Sequence, residues 1–205
     1  QVPPEGKAIL VNIPGYEVIA FEDGEPVMRS TVIVGTRRDQ TPVMQTETSV
    51  VRFRPTWRPT PEMIRRGEYT DHVRPAGSRN PLGLAALRLA PGMLVYLHDT
   101  NQRHLFDSER LSRSHGCVRV EHWDEIMAWA LDIDLETFHA YANGRRTFDM
   151  PTDGNIPVTL GYFLNFPDEF GILRSHEDIY GRGGDSIFAP PPPAPVLAAP
   201  GAEAT

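Results

Sequence analysis

The chain has 205 residues, a net charge of −7, 40% hydrophobic residues and 23% charged ones. That length suits one domain plus a tail, and the composition is that of an ordinary soluble globular protein. The acidic balance argues against non-specific nucleic-acid binding, and no apolar run approaches the ~18 residues that span a membrane. Gln1-Val2-Pro3-Pro4 shows neither the basic start nor the apolar stretch of a signal peptide. The first residue therefore reads as a mature or trimmed start.

The first third reads as strands. Lys7 to Ile13 is an apolar run before a Pro14-Gly15 turn, and Tyr16 to Glu22 and Pro26 to Val34 flank Asp23-Gly24. Asp-Gly between β-branched and aromatic runs is a hairpin signal. Thr48 to Phe53 is the next strand candidate. From Arg54 to Asn80 the pattern breaks into a proline-rich stretch with a short helical candidate near Glu62 to Gly67. A loop this long is uncommon unless it is functional or disordered, and it reads as a short lid over about 54–79. Ala86 to Leu89 and Met93 to Leu97 read as two strands around a Pro91-Gly92 turn.

After Val120 the period changes. Trp123, Ile126, Met127, Ala130 and Leu131 fall on one helical face. Asp124 and Glu125 sit in the first turn, where the helix dipole favours acids. A second helix is expected from a cap at Asp134 to about Asn143, with Gly144 beyond its end. Asn155 to Asn165 reads as a late strand, and Pro157 predicts an edge position or a late start for it. Residues 186–205 hold six prolines with many alanines and few charges, a composition expected to be extended or disordered. There are no internal repeats.

Cys117 is the sole cysteine, so no intramolecular disulfide forms. A lone thiol is usually a small buried hydrophobe, but its neighbours here are His98-Asp99-Thr100 and Ser114-His115-Gly116-Cys117-Val118-Arg119. A nucleophilic cysteine needs a base, because a free thiol is mostly protonated at neutral pH. It also needs donors for the oxyanion of a tetrahedral intermediate. His98 ends a predicted strand that can aim its imidazole, with Tyr96 on the same face. The Asp99 carbonyl or carboxylate could accept the other ring N–H and hold one tautomer. Gly116 leaves the backbone before Cys117 uncrowded, the helix after Val120 would bring positive dipole towards the thiolate, and Arg119 is suited to a carboxylate. Blander readings exist: a hydrogen-bonded strand-end His98, a turn-forming His115, or zinc held by some of His98, His104, His115, Cys117 and His122.

The ordered set of motifs resembles the L,D-transpeptidase catalytic domain (YkuD-like). The histidine stands 19 positions before the cysteine, and Ser114-His115-Gly116-Cys117 matches the second half of that signature. Asn12-Ile13-Pro14-Gly15, Val32-Ile33-Val34-Gly35, Thr41-Pro42, Asn80-Pro81-Leu82-Gly83 and Tyr96-Leu97-His98-Asp99-Thr100 look like the larger proteobacterial branch typified by YcbB. The likeness spans roughly residues 7–180. It implies a mainly β (α+β) fold, a sandwich or barrel with a short lid and one or two helices after the cysteine motif, over residues 1–185.

The resemblance further implies a periplasmic enzyme without cofactor or metal, acting on peptidoglycan stem peptides and acylated by carbapenems. Cys117 would attack the third stem residue, diaminopimelate, and expel terminal D-Ala. His98 would take the thiol proton, the Asp99 backbone carbonyl would orient His98, and an acceptor amine would resolve the acyl-enzyme into a 3-3 or 1-3 cross-link. Gly116, His115, Arg119, Tyr96 and Ser114 carry over as residues that shape the site and bind substrate. L,D-carboxypeptidase action and a non-catalytic wall-binding module are the alternatives. The branch usually inserts a longer capsule where Arg54 to Arg79 lies. Seven arginines from Arg52 to Arg79 face only Glu62, Glu68 and Asp71, a local net of +4, so the lid is expected to attract anionic stems.

Overall fold

The computed structural model describes residues 3–185; the expected disordered tail at 186–205 lies outside them. The strands are β1 (Lys7–Asn12), β2 (Glu17–Glu22), β3 (Glu25–Gly35), β4 (Met44–Phe53), β5 (Ala85–Leu89), β6 (Tyr96–His98), β7 (Ser112–Ser114), β8 (Val118–Val120), β9 (Phe148–Pro151), β10 (Pro157–Gly161), β11 (Asn165–Pro167) and β12 (Leu173–Ser175). The helices are α1 (Pro61–Arg65), α2 (Trp123–Leu131) and α3 (Leu135–Ala142), with a 3-10 turn at Arg103–Asp107. None of the described helices is long and apolar enough to cross a membrane.

The fold is mainly β, and its sheet closes on itself. Pairing runs β1-β2-β3-β8-β6-β5-β4-β10, and β10 returns to β1. Closure removes the unpaired strand edges that would otherwise invite association. Pro157 was expected to mark an edge or a late start. The strand does start at Pro157, but it lies between β1 and β4 rather than at an edge. A proline in the first position leaves the rest of the ladder its donors. The β2–β3 hairpin turns at Asp23-Gly24 with positive φ at both (50° and 82°), the geometry a right-twisted hairpin prefers.

The barrel interior and one side of the helices form a single hydrophobic core. Helix α2 buries Trp123, Ile126, Met127, Ala130 and Leu131, the face its period predicts. Asp134 caps α3 through Thr137 N–H at 2.8 Å. Phe138 from α3 packs between Phe53 of β4 (centroids 5.0 Å) and Trp123 (5.7 Å). Burying each such ring contributes about 1.5–3 kcal/mol. The helices thereby brace the β4–β5 wall of the barrel, and β6 pairs with β5.

Candidate active site

The short parallel pair β6–β8 builds the site. Leu97 lies opposite Val118 and His98 opposite Arg119. Side chains alternate across a strand, so Leu97, Val118 and Val120 turn into the core, where all three are buried. Tyr96, His98, Cys117 and Arg119 then share the outer face, and all four line one cleft of about 440 Å³. The predicted strand Met93 to Leu97 is displaced: β6 begins only at Tyr96. After Pro91-Gly92 the chain turns (Met93 N–H to Ala90 O, 3.1 Å), and Leu94 and Val95 cover the cleft instead of joining the sheet.

His98 is buried, and its Nδ1 hydrogen-bonds the backbone carbonyl of Asp99. A carbonyl only accepts, so Nδ1 carries the ring proton and Nε2 keeps its lone pair. The Asp99 carboxylate is turned elsewhere. It accepts from Leu84 N–H at 2.8 Å and from the Arg103 guanidinium at 3.0–3.1 Å. Of the two acceptors the sequence allowed, the carbonyl is the one that meets the imidazole. The carboxylate anchors the loop entering β5.

Burial above all, and the Arg119 charge next, push the His98 imidazole down to about 3, against the pull of the Asp99 carbonyl. Burial pushes the Cys117 thiol up, while a backbone hydrogen bond from Tyr96 and the Arg119 charge only partly oppose it. Both directions favour a neutral thiol beside a neutral imidazole at rest. The thiol donates to the Leu94 carbonyl at 3.4 Å rather than to His98. Nothing in the sequence pointed to Leu94, an exposed apolar residue whose working part is its main chain. The expected help from the α2 dipole is remote, because the five residues Val118 to His122, three of them the extended strand β8 (~10 Å of chain), separate Cys117 from that helix.

The turn before Cys117 is held from within. Ser114 is buried; its hydroxyl accepts from Gly116 N–H at 3.1 Å and donates to the Cys117 carbonyl at 2.5 Å. That hydroxyl is engaged by the turn's own backbone, although Ser114 also lines the cleft. Gly116 has φ +106°, where a side chain would be strained. His115 Nε2 meets Glu68 Oε2 of the lid at 2.8 Å, and its ring lies edge-on to Tyr69. His122 opens onto a different cleft, and among the described residues no three His, Cys, Asp or Glu side chains converge to hold a metal ion.

The lid presents only part of the charge its sequence suggested, because four of the seven arginines are ion-paired. Arg58 makes a two-point pair with Asp71 (2.8 and 3.0 Å). Arg65 pairs with Glu62, and Arg66 pairs with Asp39 and Glu62. Arg52 is held by Asp149, and Arg74 lies over the Trp57 and Tyr69 rings. Counting charges along the chain missed Asp39 and Asp149, which come from outside the segment. Exposed pairs of this kind contribute little. Arg58→Gln combined with Arg65→Gln should leave KM for the substrate, and its dependence on ionic strength, within about two-fold of wild type. Arg66→Gln unties the lid from Asp39 and should raise KM by a factor that does not grow with added salt. Titrating KM at low and high ionic strength checks both.

A family model described as the L,D-transpeptidase catalytic domain (YkuD) matches residues 6–137. A Haemophilus influenzae protein named "Putative L,D-transpeptidase" is 29% identical over 222 residues, covering 88% of this chain and 45% of its own length. "Probable L,D-transpeptidase ErfK/SrfK" of Escherichia coli is 33% identical over 125 residues, covering 58% of this chain and 38% of its own. The chain thus spans less than half the length of these curated relatives. Among solved structures, the catalytic domain of the E. faecium L,D-transpeptidase acylated by ertapenem covers 76% of this chain and 97% of that one, at 15% identity and TM-score 0.47. An L,D-transpeptidase from Mycobacterium smegmatis covers 75% and 58%, at 16% identity and TM-score 0.46.

Proposed function

The chain belongs to the L,D-transpeptidase catalytic-domain family, and from that premise we propose that it cross-links peptidoglycan stem peptides with Cys117 as nucleophile and His98 as general base. The observation that carries this reading is the β6–β8 pair, which sets a histidine of fixed tautomer and the sole cysteine on one face of one cleft.

In the proposed first step the Cys117 thiol turns from Leu94 towards His98. Sγ bonds to the carbonyl carbon of the third stem residue, diaminopimelate, as its proton passes to Nε2. The carbonyl electron pair moves onto oxygen, where the backbone N–H of Cys117 stabilises it. Collapse of the intermediate breaks the bond to D-Ala, whose amine leaves with the proton from His98. An amine of a second stem then attacks the thioester, His98 takes the amine's proton and returns it to Sγ as the C–S bond breaks, and the new amide is a 3-3 or 1-3 cross-link. Because thiol and imidazole are both neutral at rest, proton transfer accompanies attack rather than preceding it.

Arg119 is the basic group best placed for a substrate carboxylate. Burial lowers its pKa, no carboxylate is among the groups acting on it, and its side-chain partner is the neutral Gln102 at 3.0 Å. Tyr96 and His115 would flank the bound stem, while Ser114 keeps the turn in shape. The catalytic unit in this proposal runs to residue 185, beyond the matched segment, since β10 closes the barrel and Ile179 and Tyr180 pack into the core. A peptidoglycan substrate would place the protein in the periplasm.

The test is to incubate purified stem tetrapeptides with the protein and read product masses. A cross-linked dimer is expected. A trimmed monomer would mean that water replaces the acceptor amine, and an unchanged tetrapeptide would leave a wall-binding module.

A further inference from the structure

The segment between Gly35 and Thr41 folds back beneath the Ser114–Cys117 turn. Gly35 permits this, since a side-chain carbon there would overlap the Asp39 carbonyl. Thr41 is buried, and its hydroxyl has two partners. It accepts from Gly35 N–H at 2.9 Å and donates to the Gly116 carbonyl at 2.9 Å. Because an N–H only donates and a carbonyl only accepts, the direction of both bonds is fixed. The Thr41 N–H donates to the Tyr180 hydroxyl at 3.1 Å, which donates to the Gly35 carbonyl at 2.8 Å. Tyr180 is seated by its own N–H, which donates to the Tyr162 hydroxyl at 2.8 Å. A buried chain of hydrogen bonds thus runs from the C-terminal segment to the turn that carries Cys117.

The consequence follows from peptide geometry. The Gly116 carbonyl and the Cys117 N–H belong to one planar trans unit and point in opposite directions. With the carbonyl turned inward to Thr41, the N–H is turned away from Thr41, on the side of the cleft that Gly116 and Cys117 line. Gly116 has φ +106°, and glycine tolerates many orientations of the following peptide, so the flip needs an external hold. Gly116 N–H is already committed to Ser114. Cys117 N–H has no backbone acceptor among the turn and loop hydrogen bonds of the described residues.

The geometry points to Thr41 as a positioning residue: its hydroxyl holds the Gly116–Cys117 peptide so that the Cys117 N–H faces the oxyanion formed when Sγ attacks a carbonyl. The inference rests on the reading of Cys117 as nucleophile.

Two reactions of the same sulfur separate this role from general support of the fold. Acylation by ertapenem passes through an oxyanion, whereas alkylation by iodoacetamide does not. Thr41→Val keeps the shape and removes the hydroxyl; Thr41→Ser keeps the hydroxyl. Thr41→Val should slow acylation by about 10–100-fold while alkylation stays within about two-fold of wild type across neutral to alkaline pH. Thr41→Ser should restore acylation. Tyr180→Phe, one bond further away, should show the same split at smaller amplitude. Acylation at the wild-type rate in Thr41→Val, a parallel fall of both reactions, or a Thr41→Ser as slow as Thr41→Val each overturns the inference. If Thr41→Val does not fold, Tyr180→Phe decides, and an unchanged acylation rate overturns it. A wild type that alkylates but takes no ertapenem defeats the reading of Cys117 itself, and this inference with it.

Discussion

Cys117→Ala is expected to lower cross-link formation by at least about 10⁴-fold, because removing a nucleophile from a set that acts as a unit removes nearly the whole chemical step. The fold should survive. The thiol donates one long hydrogen bond, to the Leu94 carbonyl at 3.4 Å, and Cys117 is only partly buried. Its loss should cost no more than about 1 kcal/mol. Wild type incubated with a carbapenem should gain the mass of one adduct, since the chain has one cysteine, and Cys117→Ala should gain none. Product masses from stem peptides, with thermal unfolding as the control for folding, check the prediction. Retained cross-linking in Cys117→Ala would defeat the proposed mechanism.

The site was legible in one dimension and hidden in the others. Period-two alternation put Tyr96 beside His98, while Cys117 and Arg119 were linked only as members of one motif. What joins the two pairs is a parallel ladder between β6 and β8, each three residues long. Strands that short carry no period, and β8 is continuous with the cysteine motif, so Val118–Val120 gave no separate signal. The β4–β10–β1 closure was obscured for a related reason: Pro157 marks the first residue of an interior strand as readily as it marks an edge. Long amphipathic elements such as α2 needed no partner to be recognised, because their own spacing states which face is buried.

Electrostatics was the least legible layer. The arginines of the lid are visible in sequence, but Asp39 and Asp149 reach them only through the fold. Within the cleft, Arg119 is held by the neutral Gln102 rather than by a carboxylate, and it is a residue inside the motif. Thr41 illustrates a different limit. The Thr41-Pro42 dipeptide belongs to the family resemblance, but no local pattern says that the hydroxyl reaches Gly116, 75 positions away. Such contacts also explain how a turn containing a permissive glycine is held in one conformation. Ser114 fixes it from within, Thr41 from below, and Glu68 through His115 from the lid.

His98→Ala should slow acylation of Cys117 by about 10²–10⁴-fold at neutral pH, the usual contribution of a positioned general base. With the base gone, attack requires prior ionisation of a thiol that burial holds above its ordinary value. The residual rate should therefore rise about ten-fold per pH unit through the neutral and mildly alkaline range, as hydroxide supplies the thiolate. Wild type should behave differently on the acid side. Its imidazole is held down to about 3, so the base remains unprotonated well below the pH at which an ordinary histidine fails. The same shift affects stability. The unfolded chain binds a proton near pH 6.5 and the folded chain does not until about 3, so the unfolded state carries more protons in that window and stability falls as the pH is lowered through it. This one group should cost on the order of 3 kcal/mol by about pH 4, and His98→Ala should lack that part of the acid sensitivity. Acylation rates and denaturant midpoints measured across pH for both proteins test the two halves together. An alanine variant with an unchanged acylation rate would show that His98 is a structural histidine rather than the base, and a wild-type rate that falls off near pH 6.5 would show that burial does not hold its imidazole down.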